Sequence, residues 1–258
     1  MSCKFIEGRI TGRTDYTDVL FSLLIDAAIA PFEAGQYCRL GLALNGATGG
    51  ADASITFRPY SMVNAPHQAP LEIILIKVPA AEGGVLSPAL HQLQVGDSVC
   101  VAPTAFGYFT LAEAPAAPVL WALATGTAIG PFLSMMKTAE LWKKYARVVL
   151  VHAVRTVAEL TYRDQIETIR AAHSAEFQYL PFVSREDHAG AIRSRIPQAI
   201  VDGSLEARVG IALNVETAHC MLCGNPDMVR DTLAALALRG FKKHRPKQPG
   251  QITVEAYW

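Results

Sequence analysis

The stretch VLWALATGTAIGPFLSMMKTAELWKKY, residues 119–145, sets the fold class. It opens on an unbroken apolar run of strand length, as expected of a strand buried on both faces. The small-residue turn ATGTAIGP (124–131) follows, and FLSMMKTAELWKKY (132–145) carries helical spacing. The same rhythm continues downstream. RVVLVHAV (147–154) predicts a strand, VAELTYRDQIETIRAAH (157–173) a helix, and EFQYLPFVS (176–184) a strand. GAIRSRIPQAIVDG (190–203) is helix-like, HCMLCGNP (219–226) is a strand running into a turn, and PDMVRDTLAALALRG (226–240) is a helix. Strands alternating with helices imply a parallel sheet wound on both faces. Ligands of such sheets sit beyond the carboxyl ends of the strands.

Upstream the texture differs. From about Phe5 to Leu111, Gly and Pro keep interrupting short apolar runs. DVLFSLLID, QYCRLGLAL, LEIILIKVP and DSVCVAP read as strands, and LSPALHQL as one short helix. That pattern predicts a compact antiparallel β-barrel. NGATGGADAS (45–54) is expected to be a hairpin loop, and AEAPAAPVL (112–120), with Pro115 and Pro118, a linker. The chain thus divides into an N-terminal barrel domain, 1–113, and a C-terminal α/β domain, 118–258.

With 258 residues, 51% of them hydrophobic, there is ample apolar side chain for two cores. Lys plus Arg and Asp plus Glu both number 23, which argues against a dedicated nucleic-acid binder. No apolar run reaches the roughly 18–20 residues of a membrane span, and no secretory signal is visible. Five scattered cysteines read as reduced thiols of a cytoplasmic protein. A monomer is expected.

Five groups of residues invite a chemical reading. Arg58-Pro59-Tyr60-Ser61 ends a β stretch: the guanidinium suits a phosphate, the ring an aromatic face, and the hydroxyl a ring nitrogen. By composition alone, a surface arginine beside a strand-end tyrosine explains the same residues. Ala124–Pro131 would present helix-start N–H groups to a phosphate, although it lacks the GxGxxG fingerprint and suits a ligand-free turn equally. Cys220 and Cys223 form a CxxC, but residues three apart on a strand face opposite ways and further zinc ligands are lacking. Cys223 alone, at the strand end, is the better site candidate, and no metal is expected. Arg155, Arg185 and Arg195 follow the middle strands and would suit a phosphate if they converge; singly, each reads as a solvated charge. Finally, Glu255-Ala256-Tyr257-Trp258 ends the chain on two large aromatics, which must dock on a core or on a flat cofactor.

These blocks, in this order, closely resemble the bacterial ferredoxin/flavodoxin–NADP⁺ reductase family. RPYSMVNAP is similar to its flavin motif and VLSPAL to its FAD diphosphate segment. LWALATGTAIGPFLS, LVHAVR, VSRE, SRIP, MLCGNPDMVRDT and the terminal EAYW resemble further family blocks. The resemblance implies a six-stranded barrel that holds FAD and a second domain that holds NADP(H). It implies Arg58, Pro59, Tyr60, Ser61, Ile74, Lys77, Val85, Leu86, Ser87 and Thr127 at FAD, with Trp258 over the isoalloxazine face opposite Tyr60. It implies Thr125, Gly126, Arg155, Ser184, Arg185, Arg195, Gly224, Asn225 and Met228 at NADP(H), with the three arginines near the 2′-phosphate. Tyr60, Ser61, Cys223 and Glu255 are the expected catalytic residues. The implied activity is electron exchange between NADP(H) and ferredoxin or flavodoxin. The alternatives are an NADPH-dependent flavin reductase, an oxygenase's reductase component, or a non-catalytic flavin-binding redox sensor.

Overall fold

A computed structural model describes residues 5–44 and 55–256; the hairpin expected at 45–54, together with Tyr257 and Trp258, lies outside the described residues. The chain divides into two compact units, Met1–Tyr108 and Phe109–Trp258.

The first unit is built on six antiparallel strands: β1 (Ile6–Asp15), β2 (Leu20–Asp26), β3 (Tyr37–Ala43), β4 (Ile55–Ser61), β5 (Leu71–Ile76) and β6 (Ser98–Val101). They lie in the order β4-β3-β6-β1-β2-β5. A single bridge, Met62 to Ile73, joins the two outer strands and curls the sheet toward closure, as expected of a barrel. Side chains alternate, so Phe21, Leu23 and Ile25 of β2 meet Leu71, Ile73 and Leu75 of β5 inside it. The expected short helix is α1 (Ser87–Leu90). β1 is a strand that the apolar runs did not announce. IEGRITGRTD alternates Ile with charged residues and glycine; Ile10 is buried in the core and Ile6 packs partly buried against it.

The second unit has five parallel strands: β7 (Val119–Thr125), β8 (Arg147–Val154), β9 (Phe177–Val183), β10 (Ala218–Gly224) and β11 (Ile252–Ala256). Their order is β11-β10-β7-β8-β9. The chain winds outward from β7 to β9, then returns to lay β10 against the other side of β7. Winding reverses between β7 and β10, and that is where open α/β sheets take ligands. Trp121, Leu123, Val149, Val151, Phe182 and Leu222 form part of one buried core.

Several helical expectations are corrected. The stretch 132–145 is not one helix but α2 (Ile129–Met136) and α3 (Ala139–Lys144). Thr138 breaks it by adopting extended backbone, with its Oγ1 donating to the Met135 carbonyl at 2.7 Å. Of 157–173, only α4 (Arg163–Ala172) is α-helical, because Tyr162 before it takes φ 59°. Of 190–203, only α5 (Ile196–Val201) is helical, because Ile192 is held as a bridge beside Phe182 of β9. α6 (Ser204–Val209) was not anticipated; α7 (Pro226–Ala237) was. The proline-rich stretch before β7 is pinned within the second unit. Phe109 packs edge-on against Phe132, and the Pro115 carbonyl accepts from Tyr145 Oη at 2.9 Å.

Candidate functional site

All five parallel strands end at one edge of the second unit, and the candidate residues collect there. Beyond β7, Gly126 adopts φ +54°, a left-handed conformation that suits glycine, and starts a single 3-10 turn leading into α2. The neighbouring end of β10 is tied to this turn. The Asn225 N–H donates to Thr125 Oγ1 at 3.0 Å. Gly224 adopts φ +139°, and a Cβ there would stand 2.0 Å from Thr125 Oγ1, so the approach requires glycine. The Asn225 side chain then accepts from the Asp227 and Met228 N–H groups at 2.9 and 3.3 Å and caps α7. Met228 is fixed in turn, since its Sδ accepts from Thr232 Oγ1 at 3.4 Å.

On the outer side, backbone contacts bring the arginine-bearing segments together. The Arg185 N–H donates to the Arg155 carbonyl at 2.9 Å, and the Ser184 N–H and hydroxyl both donate to the Val154 carbonyl. The Val183 N–H donates to the Ile192 carbonyl at 3.0 Å, which brings the segment leading to Arg195 alongside. Two nearby carboxylates are turned to backbone instead. Glu159 accepts from the Arg155 N–H at 2.9 Å, and Glu186 accepts from the Val157 N–H. Arg155, Arg185 and Arg195 are exposed, and none makes an ion pair among the described residues. Guanidiniums without a carboxylate partner are chemically suited to a phosphate dianion.

The inner end holds Cys223 and Glu255. Parallel pairing places Cys223 directly between Ala124 of β7 and Glu255 of β11. Cys220 packs with Leu222 in the buried core, whereas Cys223 is not part of that cluster, as opposite faces of a strand require. Burial pushes the Cys220 thiol well up, so it is an inert core residue. No cluster of metal-ligating side chains occurs among the described residues.

In the first unit, Arg58, Pro59, Tyr60 and Ser61 are the last residues of β4. Arg58 is exposed, and its Nη1 donates to the neighbouring Phe57 carbonyl at 2.8 Å. Burial lifts the Tyr60 phenol to about 12, opposed by the Arg58 charge, so Tyr60 stays protonated. Ser61 is buried. The Met62–Ile73 bridge brings this strand end beside Ile74 of β5. Lys77 follows β5, its N–H donating to the Val19 carbonyl at 2.8 Å. Ser87 Oγ accepts from the Val78 N–H at 3.0 Å and closes the loop carrying Val85 and Leu86. Leu86 is buried, but Val85 is 51% exposed, an apolar side chain without cover. At Gly84 a Cβ would collide with the Val78 carbonyl oxygen at 1.9 Å, so the loop folds tightly back on itself. The structure thus gathers the expected FAD residues of this unit along β4, the end of β5 and the loop before α1. Thr127 sits in the second unit, on the turn after β7.

A concavity of about 500 Å³ lined by Glu167, Arg170, Phe177 and Tyr179 lies toward the start of β9 and gathers no candidate residue. One residue of the strand edge escaped the sequence reading. His152 of β8 is fully buried, and its Nε2 lies 3.0 Å from the Gly126 carbonyl oxygen. A lone polar residue in the apolar run LVHAV was the available signal.

Comparison with known proteins agrees with this architecture. Residues 122–233 match the oxidoreductase NAD-binding domain family. The flavodoxin/ferredoxin–NADP reductase of Escherichia coli K12 is 42% identical over 98% of this chain and 99% of its own length. Ferredoxin–NADP reductase A of Sorangium cellulosum is 34% identical over 93% of this chain and 85% of its own. A crystal structure of a ferredoxin NADP⁺ reductase from Neisseria gonorrhoeae with bound FAD and NADP superposes with TM-score 0.89 at 29% identity, covering 99% of both chains. The chain belongs to the flavodoxin/ferredoxin–NADP reductase family of oxidoreductase enzymes.

Proposed function

We propose that this protein passes electrons between NADP(H) and ferredoxin or flavodoxin, as an FAD-dependent oxidoreductase. The observation that supports the reading is the strand edge of the second unit, where the turn after β7 and three arginines without ion pairs among the described residues follow the ends of parallel strands or the segment beyond. The bound cofactors supply the redox chemistry, a hydride exchanged between nicotinamide and flavin and single electrons exchanged with the carrier.

The chain's own residues bind, orient and handle protons. Both cofactor sites fit what the residues offer. Arg58 has no carboxylate partner among the described residues and is available to a diphosphate. The Tyr60 ring provides a flat aromatic face and, held protonated, is not a proton source at neutral pH. The Ser61 hydroxyl is placed to hydrogen-bond the flavin edge. Within the first unit, Ile74, Lys77, Val85, Leu86 and Ser87 are the further residues for FAD; Thr127, on the turn after β7, is a separate FAD candidate of the second unit. Thr125, Gly126, Gly224, Asn225 and Met228 cradle the nicotinamide nucleotide, and Arg155, Ser184, Arg185 and Arg195 take its 2′-phosphate. Cys223 and Glu255, adjacent in register, shape the nicotinamide pocket and carry protons to it.

The molecule acts as a cytoplasmic monomer in this reading. Among the described residues, no helix is long and apolar enough to cross a membrane. The deciding experiment runs NADPH-driven reduction of ferredoxin and of flavodoxin side by side, with free flavin as a third acceptor. Turnover of at least one carrier is expected. Rapid reduction of free flavin with neither carrier reduced would identify a flavin reductase instead.

A further inference from the structure

We infer that His152 is a positioning residue: through the Gly126 carbonyl, it aims the turn after β7 at the 5′-phosphate of the nucleotide. This rests on the reading above, that this turn receives the phosphates of NADP(H).

The geometry is specific. Gly126 O accepts twice, from the Ile129 N–H and from His152 Nε2 at 3.0 Å. A carbonyl oxygen only accepts, so Nε2 carries the proton and Nδ1 does not. Nδ1 has no partner among the described residues, although the ring is wholly buried. A buried acceptor left unpaired is costly, and a leucine at this place on β8 would avoid it. The imidazole therefore has a use that outweighs this penalty, and the Gly126 bond is the one it makes. Burial holds the ring at a pKa of about 4, so it stays neutral and the tautomer stays fixed.

What the bond achieves follows from peptide planarity. In a trans peptide, C=O and the next N–H point in opposite directions. Two donors that fix the Gly126 carbonyl therefore fix the direction of the Thr127 N–H away from the histidine. Thr127 and Ala128 open a helical turn, so their N–H groups lack acceptors one turn back and are available to an anion. Gly126, at φ +54°, is free of side-chain restraint and would otherwise let this peptide rotate. His152 supplies from the sheet interior the rigidity that glycine removes.

The test separates this role from simple packing. In His152→Gln, the amide nitrogen falls near the position of Nε2 and keeps a donor within reach of Gly126; in His152→Asn, the donor falls short. Binding of adenosine 2′,5′-bisphosphate and of adenosine 2′-monophosphate to the FAD-loaded protein is measured by calorimetry. The two ligands differ only in the 5′-phosphate. In the wild type the bisphosphate binds more tightly. In His152→Asn it loses roughly tenfold, the scale of one hydrogen bond to a charged group. The monophosphate is unchanged, and His152→Gln restores most of the difference. Equal weakening of both ligands in His152→Asn, or an unchanged bisphosphate affinity, overturns the inference. A glutamine variant no better than the asparagine variant overturns it as well. A wild type that binds the two ligands equally would instead remove the underlying reading, that this turn holds a phosphate. Should His152→Asn not fold, the inference stands or falls on His152→Gln, which must keep the wild-type difference between the two ligands.

Discussion

NADPH and NADH differ by one 2′-phosphate, so a preference between them is decided by individual side chains. In the proposed reading Arg185 and Arg195 set it: both are exposed without an ion pair among the described residues, while the neighbouring Glu159 and Glu186 face backbone amides. Two hydrogen bonds to a dianion contribute about 3–6 kcal/mol, less here because both guanidiniums are exposed and screened. Replacing both by alanine is expected to lower kcat/KM for NADPH on the order of a hundredfold and leave NADH almost unchanged. A double variant that keeps the wild-type ratio of the two values would remove the assignment. Arg185 was legible because it follows the apolar run of β9, and Arg195 because it opens the stretch RIPQAI soon after. The approach of their segments was not: it depends on the Arg185 N–H reaching the Arg155 carbonyl and on Ile192 returning to Phe182, two non-local contacts that no local pattern encodes.

At the scale of elements, apolar continuity was the reliable signal. β7, β8 and β10 are buried almost throughout and read as near-continuous runs; the edge strand β9 is partly buried, β1 is half solvated, and β11 is only five residues long. Helix ends were missed where a side chain or a bridge overrode the period, as at Thr138 and Ile192. The buried sheet also predicts how acid unfolds the molecule. His152 on β8 and His219 on β10 are held neutral by burial, both lowered from 6.5 to about 4. His219 Nε2 also lies 3.0 Å from Thr253 Oγ1 and so ties β10 to β11. Above pH 6.5 neither the folded nor the unfolded state protonates these rings, and they add no pH dependence. As pH falls from 6.5 toward 4, the unfolded chain gains protons that the folded state refuses, so stability declines, by roughly 3 kcal/mol for each ring when complete. Chemical denaturation between pH 8 and 4 is expected to show a plateau and then this loss, with a shallower slope in His219→Leu. A slope unchanged by that variant would show that His219 titrates normally in the fold. At the end of β10, Gly224→Ala is expected to cost more than about 1 kcal/mol, since the added Cβ meets Thr125 Oγ1 at a positive φ. A melting temperature equal to the wild type would contradict this.

Over the whole molecule the formal charge is zero, yet its distribution is uneven. Lys242, Lys243, Arg245 and Lys247 crowd the segment between α7 and β11, where Lys243 bridges to Ile252 and Arg245 to Gln248. All four are exposed, and none makes an ion pair among the described residues. Most of the paired cations among the described residues are satisfied by neighbours within a few residues, as with Arg230 between Asp227 and Asp231. A local excess of positive charge on a neutral protein steers an acidic carrier without attracting polyanions in general. Screening sets the signature. At about 0.1 M salt the Debye length is near 10 Å, and it contracts to about 3 Å at 1 M. Carrier reduction is therefore expected to slow by an order of magnitude or more across that range, while reduction of a small neutral acceptor stays nearly constant. Reversing Lys243 and Arg245 to glutamate is expected to reproduce the high-salt rate at low salt and flatten the salt dependence, without altering NADPH oxidation by the neutral acceptor. Parallel salt responses for carrier and neutral acceptor, or charge-reversed variants with the wild-type salt slope, would place the docking face elsewhere on the molecule.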